Sequence, residues 1–500
     1  MAKTFSAVER RIENLRVAAM KNLLINGILR EAADGRTYAN VNPATEHVIG
    51  QAPDATRSDV DAAVGAARSA FDDLAWSQDH AFRSRCLGQL HDGIRAERED
   101  LRRILIDEAG VPVALTHSIW LDTIIDSITY WAELAESYPY EVQIAARETL
   151  AGVSSKRMVA REPVGVVAAI TPWNYPLPLN IFKVAAALAA GCTAVLKPAP
   201  DTPWSGTELG RIIAERTDIP AGVVNVVTAA DPLIGEALVR DPRVDMITFT
   251  GSTEVGKRIM ASAANSLTRV CLELGGKSAN IILDDADLPP LAAGIAGVCA
   301  HAGQGCALPT RLLLPRSRYE EGLTIAQAAF ESVSCGDPND PNVIVGPVIN
   351  ARQRERILNM IEMGRQEARI LVGGGAPASM PVGYYVEPTL FCDVAPDAVI
   401  AQEEIFGPVL VVIPYDDDDH AVEIANNSIY GLSGAVHGAD VDRAMGIARR
   451  LRTGTVGING GAWLAADTPF GGYKQSGMGR ELGTEGFAEF LETKSIALPA

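Results

Sequence analysis

Five hundred residues, 47% of them hydrophobic and 21% charged, are enough to bury large cores and predict roughly two to four domains of a soluble globular protein. Lys and Arg number 44 against 62 Asp and Glu, a net charge of −18 that repels nucleic acid and anionic membrane surfaces. No stretch approaches the ~20 apolar residues of a membrane span, so neither nucleic acid nor membrane is an expected partner.

The N-terminal stretch 1–23 carries Glu9, Arg10, Arg11, Glu13 and Arg16 ahead of any apolar run, the wrong layout for a secretory signal. It reads as a short amphipathic leader helix of a cytoplasmic protein. Seven cysteines, at 86, 192, 271, 299, 306, 335 and 392, are an odd number without a C-x-x-C pair, and are expected to be reduced. The seven histidines form no H-x-x-x-H pair, which argues against a catalytic zinc; no metal is expected.

Leu24-Ile25-Asn26-Gly27 and Tyr38-Ala39-Asn40-Val41 predict short strands around turns, and Asn42-Pro43-Ala44-Thr45 closes the second. Ser58 or Asp59 is expected to cap an amphipathic helix running to Phe71, and helical spacing of apolar residues continues over 81–108 and 115–137. Residues 138–163 turn β-like about a break at Thr149-Leu150-Ala151-Gly152, which predicts a long hairpin, either an interface element or an ordinary surface hairpin.

From Gly165 strands and helices alternate: 166–170, a helix after Pro178, 194–197, a helix after Thr202, 223–227, a helix from Asp231, 246–250 and a helix from Thr253. This is the pattern of a parallel sheet with crossover helices. Its last strand runs into Gly251-Ser252-Thr253-Glu254-Val255-Gly256, glycines ahead of a helix whose unpaired N–H groups and dipole favour a phosphate. Extended to Arg258, the stretch comes near the nucleotide-hydrolase P-loop G-x-x-x-x-G-K-[ST], a second reading of a different class. Arg258 argues against it, standing where a magnesium-ligating hydroxyl is required.

Downstream come Leu272-Glu273-Leu274-Gly275-Gly276-Lys277 and then Gly303-Gln304-Gly305-Cys306-Ala307. A thiol attacks carbon only as thiolate, and with an ordinary pKa of about 8.5 it needs that value lowered or a base lent. Glycines on both sides of Gln304 predict a turn whose backbone N–H groups can face a developing negative charge. From these residues alone, Cys306 reads equally as a nucleophile or as a small buried cysteine. Beyond it, 311–314, a helix to Val333, 386–390, 409–413, a helix from His420 and 456–459 predict a second α/β unit. The acidic run 416–419 charges the N-terminus of the helix that follows it.

Taken in order, Thr171-Pro172-Trp173-Asn174-Tyr175-Pro176, Val195-Leu196-Lys197-Pro198, Phe249-Thr250-Gly251-Ser252-Thr253-Glu254-Val255-Gly256, the Glu273 and Cys306 stretches, Glu403-Glu404-Ile405-Phe406-Gly407-Pro408 and Pro469-Phe470-Gly471-Gly472-Tyr473-Lys474-Gln475-Ser476-Gly477 carry a resemblance. From about Leu23 to the C-terminus the chain resembles the aldehyde dehydrogenase superfamily in its NAD(P)-dependent, non-acylating form. The resemblance implies an α/β fold of two open, twisted parallel-sheet domains with a small β bridging element. Residues 1–137 and 164–267 would bind NAD(P), 268–474 would hold the catalytic domain, and 138–163 with 475–500 would assemble a homodimer or homotetramer.

The resemblance also implies the chemistry: oxidation of a small-molecule aldehyde with NAD, or NADP as a second cofactor. Cys306 would be the nucleophile, Asn174 and the Cys306 N–H the oxyanion donors, and Glu273 the base that activates water against a thioester. Thr171, Trp173, Lys197, Phe249, Gly251, Ser252, Val255, Leu274, Glu404 and Phe406 would hold the cofactor, with Lys197 at the adenosine ribose, Ser252 at the pyrophosphate, Glu404 at the nicotinamide ribose and Phe406 as a wall. Tyr175, Phe182, Phe470 and Trp463 or Leu464 would line the substrate pocket, and their apolar character favours an uncharged aliphatic or aromatic aldehyde. Two departures bear on cofactor choice: Pro200 stands where many NAD-dependent members carry Glu, and Thr228-Ala229-Ala230 stands at the glycine-rich turn. The nearest alternative, a member that passes the acyl group to coenzyme A, tends to lack a base at the Glu273 position. A catalytically silent member is a third, and the intact set Cys306, Glu273 and Asn174 speaks against it.

Overall fold

Period-two alternation in the strand Val166–Ile170 sends Val167 and Ala169 to one apolar cluster and Val166 and Ala168 to another. Thr193–Lys197 divides the same way, with Ala194 and Leu196 on the first side and Val195 on the second. A sheet buried on both faces needs helices on both. Pro176–Ala190 and Pro203–Arg216 cover one face, and Pro232–Val239 and Thr253–Ala263 the other.

The computed structural model describes residues 22–73 and 75–499, so the expected leader helix lies outside the described residues apart from its last two positions. The first sheet has eight strands in the order Gly477–Met478, Arg269–Glu273, Met246–Thr250, Val166–Ile170, Thr193–Lys197, Val224–Val226, Leu23–Ile25, Ile28–Arg30. Its five central strands are parallel, and antiparallel strands finish both edges. The first sheet therefore reaches past the expected division at 267/268. Cys271 joins one apolar cluster and Leu272 the other, a two-faced burial that this sheet satisfies, and Glu273 comes to lie beside Thr250. Gly477–Met478, expected with the assembly element, pairs with Leu272 and Glu273 instead.

The second sheet runs Arg369–Val372, Thr389–Cys392, Val409–Tyr415, Arg311–Pro315, Ala279–Ile282, Gly434–His437, Gly457–Ile458, parallel except at the first pairing. The expected hairpin is Glu141–Glu148 and Ser154–Pro163, turned through Gly152 at φ 74°. Leu491–Pro499 adds a third strand along Ser154–Pro163.

Local chemistry moves several helix boundaries. Thr56, rather than Ser58 or Asp59, caps the helix Arg57–Asp73. Its Oγ1 accepts from the Asp59 N–H at 3.4 Å while Asp59 Oδ2 accepts from the Thr56 N–H at 2.8 Å, a reciprocal capping box. The helical stretch over 81–108 breaks at Glu97 into His80–Ala96 and Arg98–Ala109. The helix expected after Pro178 starts at Pro176, where a missing N–H costs nothing. No helix among the described residues is long and apolar enough to cross a membrane.

Candidate active site

The parallel strands of the first sheet end at Ile170, Lys197, Thr250 and Glu273, and the loop carrying Cys306 packs over that edge. Thr250 lines both a cleft of about 1060 Å³ and a cavity of about 370 Å³, so the two meet at the end of its strand. Asn174, Glu273 and Cys306 all line the smaller one.

Close main-chain packing sets this geometry. A Cβ on Gly276 would collide with the Cys306 carbonyl oxygen, and one on Gly275 with the Glu404 carboxylate, which accepts from the Gly276 N–H at 2.9 Å. His301, Ala302 and Gly303 stand consecutively in the left-handed region, at φ 50°, 54° and 70°. Only the last is glycine, and a Cβ there would strike the Gly407 carbonyl. Cys306 follows in the turn closed by Leu308 N–H onto the Gly305 carbonyl at 3.4 Å. Asn174 reaches over from the first sheet, its Nδ2 donating to the Gln304 carbonyl at 2.9 Å.

Burial pushes the Cys306 thiol well above its ordinary range, and the charges of Glu404 and Glu273 push it further, against the pull of the Cys306 and Ala307 N–H groups. The free chain thus keeps Cys306 as a thiol, and attack on carbon requires that its proton leave first. Glu273 is 2% exposed, and neither of its carboxylate oxygens has a hydrogen-bond partner among the described residues. Burial, and then the Glu481 charge, raise its pKa well above the ordinary carboxyl value, while Lys183 and Arg480 oppose the rise.

Glu481 lines the same cavity and was not singled out from sequence. It accepts from Lys183 Nζ, which also donates to Thr248 Oγ1 at 3.0 Å. The available signal was Lys183 itself, a cation in the helix Pro176–Ala190 whose other residues save Asn180 are apolar, which requires a buried partner.

Of the residues expected to hold a cofactor, Thr171, Trp173, Lys197, Phe249, Gly251 and Val255 line the large cleft. Ser252 caps the helix Thr253–Ala263, accepting from Val255 N–H at 3.4 Å, and leaves the first turn facing the glycine corner. Glu404 and Phe406 lie at the inner end, where the Phe406 ring meets Trp173 edge to face at 5.3 Å. Leu274 turns its side chain into the core, so only its main chain can serve a ligand. Lys197 is buried and driven down to about 8 by desolvation, and Thr250 Oγ1 is buried without a partner among the described residues. Donors waiting in a deep cleft, beside a helix N-terminus, fit a dinucleotide.

Tyr175, Phe182, Trp463, Leu464 and Phe470 all line the smaller cavity, joined by Ile119, Leu179 and Leu308. Trp463 stacks on Phe470 at 5.6 Å with planes 1° apart, and Tyr175 is backed by Trp120 at 4.8 Å. His437 lines the same cavity and is held below its ordinary pKa by burial.

A family model, aldehyde dehydrogenase family, matches residues 30–496. The chain is 43% identical over 460 residues to geranial dehydrogenase of Castellaniella defragrans, covering 92% of this chain and 94% of that one. It is 41% identical over 461 residues to 3-succinoylsemialdehyde-pyridine dehydrogenase of a Pseudomonas species, at 91% and 94% coverage. Among solved structures, aldehyde dehydrogenase C of Pseudomonas syringae, a mutant in complex with NAD+ and octanal, superposes with a TM-score of 0.90 at 37% identity, covering 96% of this chain and 97% of that one. The Mycobacterium tuberculosis aldehyde dehydrogenase complexed with NAD+ gives 0.91 at 40% identity, with 96% and 98% covered.

Proposed function

The chain belongs to the aldehyde dehydrogenase family and oxidises an aldehyde to its carboxylic acid with NAD; we propose that the aldehyde is uncharged, aliphatic or aromatic, and that the reaction runs through a thioester on Cys306. One observation carries the proposal. Cys306, Asn174 and Glu273 share a 370 Å³ cavity with aromatic and aliphatic walls, in which no lysine or arginine stands among the described residues. A substrate carboxylate would lose its hydration there without gaining a lysine or arginine to pair with. The octanal bound by the Pseudomonas syringae relative, and the geranial dehydrogenase name of another, agree with this class.

Once the Cys306 thiol has given its proton to water, its Sγ attacks the carbonyl carbon, and the electron pair of the C=O bond moves onto oxygen. Asn174 Nδ2 and the Cys306 main-chain N–H donate to that oxyanion, each such donor being worth about 3 kcal/mol. When bound, the oxidised nicotinamide supplies the acceptor for the hydride that departs as the carbonyl re-forms. Glu273 then takes a proton from water as the water adds to the thioester, and Cys306 is released. Lys197 meets the adenosine ribose, Ser252 the pyrophosphate, and Glu404 the nicotinamide ribose, with Trp173 and Phe406 as walls.

The three-stranded sheet is the assembly element of a homodimer or homotetramer; its outer strand Glu141–Glu148 is exposed along its whole length, an open edge that a second copy can cover. Cysteines 86, 192, 271, 299, 306, 335 and 392 are free thiols, which suits the cytoplasm. An initial-rate survey over aliphatic, aromatic and carboxylate-bearing aldehydes tests the substrate class, and a preference for the carboxylates would refute it. Cys306→Ala is expected to abolish oxidation while cofactor still binds. If a thiol reagent inactivates the enzyme and mass spectrometry finds Cys306 unmodified, the nucleophile is wrongly assigned.

A further inference from the structure

We infer that Gln304 is a positioning residue for the first half-reaction: its buried side chain fixes the main-chain carbonyl that decides which end of the Asn174 amide faces the substrate oxygen. The inference rests on the reading of Asn174 as an oxyanion donor.

A side-chain amide carries a donor end and an acceptor end of nearly the same shape, and only its partners decide which way it points. For Asn174 that partner is the Gln304 carbonyl, 2.9 Å from Nδ2. A carbonyl accepts and cannot donate, so it holds Nδ2 and repels Oδ1. The second N–H of Nδ2 is left for another acceptor. Without this carbonyl the amide could turn over and offer Oδ1, which would repel an oxyanion in place of stabilising it.

The Gln304 side chain holds its own carbonyl in place. It is 1% exposed and lies outside the residues that line the substrate cavity. Its Nε2 donates to the carbonyls of His301 at 3.0 Å and Pro347 at 3.3 Å, and its Oε1 accepts from the Ile349 N–H at 2.9 Å. The Gln304 N–H returns to the His301 carbonyl at 3.2 Å. One amide thus pins the left-handed turn at 301–303 to the segment 347–349, using both donors and the acceptor. Since His301 and Ala302 adopt a backbone conformation unfavourable for residues with a Cβ, the turn needs such outside bonds to persist.

The test is a double-mutant cycle on the burst of NADH formed from NAD and octanal, which reads thiol attack and hydride transfer before hydrolysis. Gln304→Glu keeps the shape: one oxygen still accepts from Ile349, but the other faces two carbonyls and suits them only when protonated. The burst rate of Gln304→Glu is expected to approach wild type at about pH 6 and to fall at least about tenfold below it at about pH 9, with KM for octanal within about twofold. In an Asn174→Ala background the same substitution should change the burst less than about twofold at either pH. Equal losses in both backgrounds, or an unchanged burst in Gln304→Glu, overturn the inference while leaving Asn174 as the donor. A wild-type burst in Asn174→Ala alone overturns the oxyanion reading, and the inference with it. Should Gln304→Glu not accumulate as folded protein, Gln304→Met, which keeps the bulk and drops all three bonds, goes through the same cycle with the same two-background criterion.

Discussion

Two oxygens without a partner make Glu273 costly to ionise, yet a general base must be ionised to act. Burial and the Glu481 charge raise its folded pKa above the ordinary value of 4.5. Its contribution to stability is therefore fully present below the unfolded value and is lost as the pH rises through the folded one. Glu273→Gln removes that loss. Thermal unfolding at about pH 8 should find the variant at least about 2 °C more stable than wild type, with the two coinciding near pH 4. The same variant should release one burst of NADH and then stall, since only thioester hydrolysis needs activated water. Steady turnover near wild type would assign the base elsewhere, and a lower Tm at pH 8 would show the carboxylate to be paired after all. The residues around Cys306 left nucleophile and buried cysteine equally open, and Cys306 and Glu273 became legible only through the ordered set of motifs; the nearby Gly275, Gly276 and Gly303 are where main chain meets carboxylate or carbonyl too closely for a Cβ. Glu481 was not legible, because 298 residues separate it from the lysine that betrays it.

Two helices end on buried arginines that have carbonyls for partners. Arg83 donates to Ala189 O at 3.1 Å at the end of Pro176–Ala190, and also to the carbonyls of Trp76 and Ser77. Arg311 donates to Ile424 O at 3.0 Å and Ala425 O at 2.9 Å at the end of Asp418–Asn426, and to Lys277 O at 2.8 Å. Burial lowers the Arg311 pKa to about 10, and the guanidinium stays charged at neutral pH against the negative end of the helix dipole. Because Arg311 opens the strand that follows the Cys306 loop, it ties that loop to a helix and to the Gly276 segment at once. Arg311→Met should cost about 3 kcal/mol or more by leaving three buried carbonyls unmet, and Arg311→Lys should recover less than half of the lost Tm, since a point charge cannot span three acceptors. Full recovery by lysine would show that charge alone matters. From sequence, Met246–Thr250 was legible because its apolar run ends in glycine, and the hairpin because β-like residues surround a break at Thr149-Leu150-Ala151-Gly152. The helix Ala351–Glu367 was not: it buries only Ile357, Ile361 and Gly364, too thin an apolar stripe to stand out among its charges. Ala279–Ile282 and Gly434–His437 lack the unbroken apolar run that marked strands of equal length elsewhere: Asn280 interrupts the first, and glycine and histidine bound the second.

At the scale of the whole molecule, the two sheets could be foreseen as alternating strands and helices, but not how they share the chain. Packing on both faces draws Arg269–Glu273 and Gly477–Met478 into the first sheet, and so puts Glu273, the proposed base, and the large cleft on one body and Cys306, the proposed nucleophile, on a loop of the other. The outer end of that cleft bears on cofactor choice. An acidic residue at the adenosine ribose accepts from the 2′- and 3′-hydroxyls and repels a 2′-phosphate. Pro200, exposed at the cleft, can do neither. Asp201 also lines the cleft, but its Oδ1 accepts from Asn350 Nδ2 at 2.9 Å, which ties it to the cap of Ala351–Glu367 in the second body. Of the four cations there, Arg258 and Arg240 pair with Glu236, whereas Lys197 and Arg352 can donate to a hydroxyl or pair with a phosphate. NADP should therefore be accepted beside NAD with a penalty below about 2.8 kcal/mol, a factor of about 100 in kcat/KM. Pro200→Glu should widen the gap by weakening NADP, while Asp201→Asn should leave it within about twofold. Specificity constants for both cofactors decide the matter: if wild type rejects NADP far beyond a hundredfold and Asp201→Asn relaxes that rejection, then Asp201 turns from Asn350 to the ribose when cofactor binds, and the tie to the second body does not hold it.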